Sequence, residues 1–378
     1  MRMAPETVLE IDLKALGHNY GFLRSKLRKE TLFMAVVKAF AYGSDAVVLA
    51  KRLVDLGADY LAVAYTSEGV ILREAGIKLP ILVLHPQPHN FKALIEWHLE
   101  PSLYSPRILT LFLEAAQKKQ QRDFPVHIKF NTGLNRLGFW ENDVDFILDK
   151  VRAQSVVRIS SLFSHLAASD DVHEEQFTRR QINTFSKIVA EVEPQLDYRV
   201  LKHLLNTSGI VNYPDAQWDM VRSGIGLHGY GNHPETDAQL KPVGTLKTVI
   251  SQIHRIEPGE SVGYNRAYTS DAFKSVATLP IGHADGIGRL YGNGKGFVSI
   301  AGRKAPIIGN VCMDMLMVDI TEVDCKEGDE VIVFGKGVSA EQLAANVGTI
   351  SYELITGISQ RVRRKILNVP SPVLRKEN

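Results

Sequence analysis

The sequence predicts an α/β protein, a (β/α)8 TIM-type barrel followed by a mostly β C-terminal domain. From residue 7 to about residue 230, short β-branched runs alternate with segments of helical period. This alternation favours parallel strands joined by right-handed crossovers, and the segment has the usual length of such a barrel. Beyond residue 241 the strands are short and separated by tight turns, which is typical of a β domain.

Eight segments of the first part have the composition of strands. They are 7–12, 32–37, 60–64, 81–84, 100–104, 126–130, 156–165 and 201–206. The segments 44–57 and 105–119 between them carry apolar residues three and four apart, as helices packed on a sheet do. A doubly wound open sheet is the alternative, but no strand is followed by the G-x-G-x-x-G turn typical of that fold.

The second part has its own set of strands and two late helices. The strands lie within 243–256, 275–282, 296–302, 305–310, 315–320 and 329–335, and the helices within 339–348 and 351–358. The junction at 232–242 is polar and contains proline, as linkers do. We therefore divide the chain into a barrel, residues 1–240, and a β domain, residues 241–378. The first strand is also compatible with packing in the β domain, and we expect the polar tail after Arg363 to be loosely held.

Composition indicates a protein that acts on small molecules. The 44 Lys and Arg residues nearly balance the 42 Asp and Glu residues, without long runs of one sign. This balance disfavours a nucleic-acid or membrane-surface partner. No run of about 18 apolar residues is present to span a membrane, and acidic residues stand where a signal peptide would be apolar. With only Cys312 and Cys325, we expect a cytoplasmic protein without a disulfide framework.

Lys38 is the first candidate for chemistry. It follows an apolar strand, at the end where a barrel carries its catalytic groups. A partly desolvated amine there has a lowered pKa and can form a Schiff base. The other interpretation is a surface lysine whose stem covers the barrel rim. Tyr42 and Gly43, one helical turn later, can offer a hydroxyl and a turn to an anion.

A glycine-rich turn marks the second candidate site. Arg222 follows an apolar pair, and residues 223–226, Ser-Gly-Ile-Gly, open a turn in which backbone N–H groups can approach a phosphate. Ordinary loop glycines are the alternative interpretation. Asn206, Thr207 and Ser208 end another predicted strand and carry polar groups suited to the same phosphate.

Lys129 and Arg136 form the third candidate. Lys129 alternates with the apolar Ile128 and Phe130, which predicts that its side chain points into the barrel. A buried lysine without a partner is costly, so either this strand lies at the surface or the lysine belongs to a functional network. The nearby Arg136 favours the network.

Together these segments resemble the bacterial alanine racemases, which are barrel-fold enzymes that use pyridoxal 5'-phosphate (PLP). The motifs that carry the resemblance are VVKAFAYG, KFNTGLNRLG, SHLAASD, NTSG, VRSGIGLHGYG, VGYNRAY and VCMDMLMVDI, spread over nearly the whole chain. The resemblance implies two-base racemisation of L-alanine and D-alanine, supplying D-alanine for peptidoglycan. It also implies a head-to-tail homodimer in which each active site is shared between two chains.

The resemblance assigns roles to single residues. Lys38 and Tyr264 would be the two catalytic bases, and Lys38 would also form the Schiff base with the cofactor. The cofactor-binding residues would be Lys38, Tyr42, His165, His203, Thr207, Arg222, Gly224, Ile225 and Tyr352. Arg136 and Met313 would contact the substrate, and Lys129 would be carbamylated and orient Arg136. No metal is expected.

The residue types suit this chemistry. Racemisation needs two acid–base groups on opposite faces of a planar intermediate. An arginine at the pyridine nitrogen keeps that nitrogen largely unprotonated, which moderates electron withdrawal and favours return of the proton to Cα. The sequence departs from the family at Thr207, where serine is common, at His283 near the entrance, where tyrosine is usual, and at Asn310, where arginine is frequent.

Three other functions remain open from the sequence. A broader-specificity or serine racemase would use the same scaffold. A PLP-dependent decarboxylase shares the two-part plan, but its ring-nitrogen partner is usually acidic, which Arg222 contradicts. A non-catalytic PLP-binding protein is typically a single barrel, so residues 241–378 disfavour it.

Overall fold

A closed barrel of eight parallel strands precedes a mostly β domain in the computed structural model, which describes residues 6–369. The predicted fold class is therefore confirmed, and the doubly wound open sheet is excluded. Residues 1–5 and 370–378, the outer ends of the predicted domains 1–240 and 241–378, lie outside the described residues. The boundary at residue 240 stays a prediction.

The strands and helices follow in chain order. The strands are β1 (Val8–Asp12), β2 (Leu32–Val36), β3 (Tyr60–Val63), β4 (Ile81–Val83), β5 (Glu100–Leu103), β6 (Phe124–Lys129), β7 (Val157–Phe163), β8 (Leu201–His203), β9 (Met220–Ser223), β10 (Gly244–Val249), β11 (Gln252–Ile256), β12 (Ser261–Val262), β13 (Tyr268–Thr269), β14 (Lys274–Leu279), β15 (Phe297–Ile300), β16 (Arg303–Ile308), β17 (Leu316–Asp319), β18 (Glu330–Phe334) and β19 (Arg363–Leu367). The helical segments are α1 (Leu13–Ser25), α2 (Lys38–Gly43), α3 (Ala46–Leu56), α4 (Thr66–Glu74), α5 (Phe91–Glu96), α6 (Pro106–Lys118), α7 (Val144–Arg152), α8 (Glu175–Val192), α9 (Thr207–Asn212), α10 (Pro234–Asp237), α11 (Ala340–Ala345) and α12 (Ser351–Thr356).

The barrel consists of β2 to β9 and closes where β9 pairs with β2 in parallel. The eight strands predicted from the sequence include residues 7–12, which correspond to β1, but do not include β9. That strand was missed because its sequence, MVRS, holds only two apolar residues before the buried Arg222 and Ser223. Strand β1 lies outside the barrel, in the sheet of the β domain, which the sequence had left as an alternative.

The β domain is built on a nine-stranded sheet in the order β11-β14-β17-β16-β15-β18-β10-β1-β19. Strand β1 lies between β10, with which it pairs antiparallel, and β19, with which it pairs parallel. The prediction of a loosely held tail after Arg363 is therefore wrong for residues 364–367, and its part beyond residue 369 lies outside the described residues. Residues 364–367 belong to the last strand of the sheet, and Lys365 adds an ion pair to Glu10 at 2.8 Å.

Several helices begin directly after a short polar side chain that caps them. Asp12 accepts hydrogen bonds from the N–H groups of Lys14 and Ala15 at the start of α1, and Asp45 and Ser105 cap α3 and α6 in the same way. Such caps satisfy donors that a helix leaves without partners at its first turn. The sequence signals for these helices are therefore local.

One buried side chain attaches α1 to the connection between the two parts of the chain. Asn19 is fully buried, and its amide donates to the carbonyl oxygens of Leu227 at 3.1 Å and Lys241 at 2.8 Å. Its own oxygen accepts from the Lys241 N–H at 2.8 Å. A single side chain thus satisfies three backbone groups in segments that the α1 helix must contact.

We expect Asn19→Ala to lower the free energy of unfolding by about 3 kcal/mol, because three buried backbone groups lose their partner. Denaturant titration followed by circular dichroism measures the effect. Asn346→Ala, at an exposed helix end, is the control and should change the free energy by less than about 0.5 kcal/mol. Equal effects of the two substitutions would contradict the assignment.

Candidate active site

A cavity of about 670 Å³ opens at the carboxyl ends of the barrel strands, where barrel enzymes carry their active sites. Ten of the thirteen residues to which the resemblance assigns a role line it, and so does Asn206. The ten are Lys38, Tyr42, Lys129, Arg136, His165, Thr207, Arg222, Gly224, Ile225 and Tyr352. An eleventh, His203, lies directly beneath and is bonded to Arg222. The cavity thus brings together three sequence segments that looked unrelated.

Lys38 begins an unusual segment of backbone. The sequence places Tyr42 one helical turn after the lysine, and the structure shows a left-handed turn there, with φ between 50° and 55° from Ala39 to Tyr42. Left-handed helical backbone costs about 1–2 kcal/mol for each non-glycine residue. Glu68 supports the turn by accepting the Ala39 N–H at 2.6 Å. At Gly43, a Cβ atom would lie 2.1 Å from the carbonyl oxygen of Ile355, so only glycine fits the end of the turn.

The Lys38 amine is half-buried at the cavity wall. Desolvation lowers its pKa, the positive charge of Arg136 lowers it further, and Glu68 opposes the shift. A lowered pKa increases the fraction of neutral amine, which is the form that acts as a base or nucleophile.

One end of the cavity is a cradle of hydroxyl groups around Gly224. A Cβ atom at this glycine would lie 2.0 Å from the Tyr42 hydroxyl, so Gly224 lets the phenol reach the backbone. Thr207 pairs with Ser223 at 3.0 Å and accepts the Gly226 N–H at 3.2 Å. Burial raises the pKa of Tyr42, which keeps its hydroxyl neutral and able to donate. This combination of hydroxyls and close backbone suits a phosphate group.

Arg222 is buried at the base of the cavity with 4% of its surface exposed. Its guanidinium donates to His203 Nδ1 at 2.5 Å and to the carbonyl oxygens of Ser164 at 2.6 Å, Leu204 at 2.9 Å and His203 at 3.1 Å. His165 Nδ1 lies 3.3 Å from the same group. None of these partners is a carboxylate. Burial without a countercharge lowers the pKa of Arg222 to about 9.

His165 and His203 are both neutral acceptors of Arg222. Burial holds their pKa values well below the usual range, and the charge of Arg222 adds to the effect in each case. The Phe163 ring stacks on His203 with a centroid separation of 4.8 Å and lies below the Arg222 guanidinium at 5.4 Å. Phe163 was not among the residues predicted from the sequence, since an apolar residue in a barrel strand carries no signal of its own.

Lys129 points into the barrel, as its alternation with apolar residues predicted. Its ammonium lies 5.8 Å above the Phe163 ring. Burial lowers the pKa of Lys129 to about 8, and the charges of Arg136, Arg222 and Lys38 contribute to this shift. Four cationic side chains therefore face the same cavity.

Tyr264 and Met313 do not line this cavity. They lie together in a separate groove of about 630 Å³ on the β domain, with Cys312 and Met315 beside them. Tyr264 is 67% exposed and Met313 60% exposed. Within one chain, the structure therefore leaves two predicted site residues apart from the other eleven.

Two of the three residues that depart from the family pattern, Asn310 and His283, form hydrogen bonds with residues that line this groove. The Asn310 amide donates to the Tyr264 carbonyl oxygen at 3.1 Å. The His283 N–H donates to the Cys312 carbonyl oxygen at 3.0 Å. Both residues therefore support the segments that present Tyr264 and Met313.

The described residues also bear on metal binding, membrane spanning and disulfide formation. Residues 6–369 contain no group of three or more His, Cys, Asp or Glu side chains arranged to hold a metal ion. Over the same residues, no helix is long and apolar enough to cross a membrane. Cys312 and Cys325 are both free.

Comparison with known proteins agrees with this architecture. The family model for the N-terminal domain of alanine racemase matches residues 11–232, and that for the C-terminal domain matches residues 243–366. An alanine racemase of Halothermothrix orenii is 37% identical over 377 residues, which cover 97% of this chain and 98% of that protein. Alanine racemase 1 of Clostridium acetobutylicum is 36% identical and covers 94% of both chains.

Solved structures show the same likeness. Alanine racemase of Clostridium difficile 630 superposes with a TM-score of 0.89 at 35% identity, over 97% of each chain. A structure of the Bartonella henselae alanine racemase with covalently bound pyridoxal phosphate superposes with a TM-score of 0.88 at 29% identity, over 96% of this chain and 100% of that one.

Fold and cavity define a barrel-fold enzyme whose reaction takes place at the carboxyl ends of the strands. Within that class, the matches to both domain models cover nearly the whole chain. The chain belongs to the alanine racemase family.

The buried Lys129 predicts a pH-dependent stability. Its pKa is about 8 in the folded protein and 10.5 when the side chain is fully solvated, so between these values the unfolded chain holds a proton that the folded protein has lost. Stability therefore rises with pH across this window. In buffer free of carbon dioxide, we expect Lys129→Met to raise the free energy of unfolding at pH 7 by about 1–3 kcal/mol. The gain should shrink as the pH passes from 8 to 10.

Denaturant titrations at pH 7, 8, 9 and 10 measure this gain. Lys92→Met, at an exposed position, should change the free energy of unfolding by less than about 0.5 kcal/mol at each pH. A gain for Lys129→Met that stays constant over the series would show that no buried charge is being removed.

Proposed function

We propose that the protein interconverts L-alanine and D-alanine with PLP as its cofactor. The observation that carries the proposal is the buried Arg222, which faces the cavity with carbonyl and imidazole partners and no carboxylate. An arginine cannot readily pass a proton to a pyridine nitrogen, whereas a carboxylic acid can. An unprotonated ring nitrogen withdraws less electron density from the substrate's Cα, and this favours return of the proton to Cα.

The residues present fit PLP. The hydroxyls of Tyr42, Thr207 and Tyr352 would hold its phosphate, together with the backbone of Gly224 and Ile225, where a side chain at residue 224 would collide with Tyr42. Arg222, supported by His203, would meet the ring nitrogen, and His165 would lie against the ring. Lys38 would hold the cofactor covalently. When bound, PLP would accept the electron pair that is released as the Cα proton leaves.

Lys38 would act as one of the two bases. Its half-buried amine has a lowered pKa, because desolvation and Arg136 both disfavour the ammonium. It can therefore take the Cα proton from its own side of the substrate. When the reaction runs in the opposite direction, it can return a proton to the same side. Positioned proton transfer of this kind typically contributes a factor of about 10²–10⁴ to the rate.

The second base would come from another chain. We propose a head-to-tail homodimer in which the β domain, residues 241–378, covers the mouth of the partner's barrel, residues 1–240. The support is that Tyr264 and Met313 are exposed on a groove away from the cavity of their own chain. In the dimer, Tyr264 would exchange a proton with Cα on the face opposite Lys38. Docking would also exclude water from the reacting carbon.

Arg136 and Met313 would contact the substrate, Met313 through its backbone N–H to the carboxylate. Lys129 would be carbamylated, which replaces a buried cation by an anion beside Arg136. The support is the pKa of about 8 for Lys129, since a neutral amine is the form that reacts with carbon dioxide. The D-alanine formed would serve peptidoglycan synthesis, with the enzyme in the cytoplasm where the precursors are assembled.

The first test of the proposed function combines activity with one substitution. Wild-type protein with PLP should interconvert the alanine enantiomers, as chiral chromatography of the product measures. Lys38→Ala should lose nearly all of this activity, because one base and the covalent attachment are both removed, although PLP can still bind through its phosphate.

Serine and larger amino acids in the same assay distinguish the alternatives. Faster turnover of serine would indicate a serine racemase, and comparable turnover of many substrates would indicate broad specificity. Bound PLP without turnover of any amino acid would indicate a non-catalytic PLP-binding protein. Normal turnover by Lys38→Ala would remove Lys38 from the mechanism.

A second test concerns the shared site. When Lys38→Ala and Tyr264→Ala chains are allowed to pair at random, about half of the dimers are mixed, and each mixed dimer holds one intact site and one doubly altered site. About a quarter of the wild-type activity should then return. The measurement is the rate of alanine racemisation, with mixed dimers verified by mass spectrometry of differently tagged chains. No recovered activity in verified mixed dimers would contradict the shared site.

A further inference from the structure

A chain of buried polar side chains crosses the barrel below the cavity. From β9 to β5, each strand contributes one member: Arg222 Nη1 to His203 Nδ1 at 2.5 Å, His203 Nε2 to Ser161 Oγ at 2.8 Å, Ser161 Oγ to His127 Nδ1 at 2.6 Å, and His127 Nε2 to Glu100 Oε2 at 2.6 Å. All five residues are buried, with at most 8% of their surface exposed. We call Glu100, His127, Ser161 and His203 the barrel relay.

The chemistry of Arg222 fixes the direction of the first hydrogen bond in the barrel relay, and a neutral His127 continues the same direction to Glu100. A guanidinium has donors only, so His203 Nδ1 must accept, and the proton of the neutral imidazole must then lie on Nε2. His203 Nε2–H donates to the Ser161 oxygen, which leaves the Ser161 hydroxyl proton free to donate to His127 Nδ1. A neutral His127 that accepts at Nδ1 has its proton on Nε2 and donates it to the Glu100 carboxylate.

We propose that the barrel relay is a positioning device that holds Arg222 in its orientation and as a hydrogen-bond donor to the cofactor ring. This inference deepens the proposed function and rests on it, because it concerns the group that would meet the ring nitrogen. No member of the barrel relay would touch substrate or cofactor. Each would act through Arg222.

Packing within the barrel supports this role. If the His203 imidazole carried its proton on Nδ1, two donors would face each other at 2.5 Å, so the tautomer decides whether Arg222 can keep its position. Ser161 is the group that satisfies this tautomer, since its oxygen can accept the hydrogen bond from Nε2. Phe163 stacks flat on His203, with an angle of 2° between the rings, and prevents the ring from turning away.

Glu100 contributes the negative charge at the far end. His127, the Tyr60 phenol and the Arg73 guanidinium face this carboxylate, and Arg73 is itself held by four backbone carbonyl oxygens. The groups that face Arg222 from the other side are His165, Lys129 and the Phe163 ring.

Lys129 thus brings a second positive charge to the side of Arg222 that faces the cavity. None of the direct hydrogen-bond partners of Arg222 is a carboxylate. A connected carboxylate below it favours the charged guanidinium over its neutral form.

The first experiment needs neither cofactor nor turnover. In the protein without PLP, labelled with ¹⁵N at histidine, the signals of His127 and His203 should show neutral rings protonated on Nε2 at pH 7. Single His127→Gln and His203→Gln substitutions assign the signals. A proton on Nδ1 of either ring, or a charged imidazolium, would overturn the relay whether or not the protein is a racemase.

The second experiment compares two buried serines of the barrel. Ser161→Ala interrupts the relay, whereas Ser102→Ala removes a fully buried hydroxyl on β5 that has no hydrogen-bond partner among the described residues. With PLP bound, Ser161→Ala should lower kcat on the order of tenfold, as expected for a buried donor left without a partner. KM should change little. Ser102→Ala should resemble the wild type, and Ser161→Thr, which keeps the hydroxyl, should recover most of the rate.

Equal effects of Ser161→Ala and Ser102→Ala on kcat would overturn the proposal. A wild type that binds PLP but does not turn over alanine would instead contradict the proposed function, and the tautomers would still be measurable.

Glu100→Gln tests the charge, because its amide oxygen can still accept from His127. A unit charge at about 10 Å in a medium of effective dielectric constant about 20 shifts a pKa by about one unit. Loss of the carboxylate should therefore move the alkaline limb of kcat/KM, and the pH-dependent absorption change of bound PLP, about one pH unit lower. Glu96→Gln, at a surface ion pair with Lys119, is the matched control. An unchanged alkaline limb in Glu100→Gln would show that the carboxylate does not act on Arg222.

Discussion

The burial of one guanidinium is the constraint on which this barrel depends. Arg222 has 4% of its surface exposed and no carboxylate among its direct partners. A buried charge of this kind is tolerated only when its donors are nearly all satisfied. The carbonyl oxygens at the ends of β7 and β8 and the imidazole of His203 provide that satisfaction, so the barrel interior around them must be polar. The two histidines, one serine and one glutamate below Arg222 replace the aliphatic layers that usually fill a barrel.

The cavity wall that carries Lys38 is strained. The left-handed turn from Ala39 to Tyr42 is costly, and such backbone persists only where surrounding contacts impose it. Glu68 accepts N–H groups at the ends of two neighbouring strands, from Ala39 after β2 and from Ala64 and Tyr65 after β3. The turn lowers Tyr42 onto Gly224, next to the strand that carries Arg222. The strained turn after Lys38 thus places the Tyr42 hydroxyl in the cradle around Gly224.

The sequence predicted what is encoded in local patterns. Alternating apolar runs predicted the barrel, and alternation within β6 predicted that Lys129 points inward. Strand β9 escaped notice because half of its residues are polar, although they are buried. The left-handed turn has no sequence signal, since alanine, phenylalanine and tyrosine all prefer right-handed backbone and only contacts from distant segments reverse the preference. The barrel relay has no sequence signal either, because His127 and Ser161 lie 34 residues apart and come together only when β6 and β7 pair. Tyr264 and Met313 lie on a separate groove of the β domain, and only the family resemblance, not a local pattern, predicted them as site residues.

Electrostatics connects these parts of the site. In addition to burial, the charge of Arg136 lowers the pKa of Lys38, and the charges of Arg136, Arg222 and Lys38 lower the pKa of Lys129. Glu68 is the carboxylate that opposes the shift at Lys38, but its oxygens are already engaged by three backbone N–H groups. A cavity with this excess of positive charge favours a ligand that brings negative charge with it, such as a phosphate together with a substrate carboxylate. Before such a ligand enters, the same excess disfavours the ammonium form of Lys38. The field that attracts anionic ligands therefore also prepares the amine to act as a base.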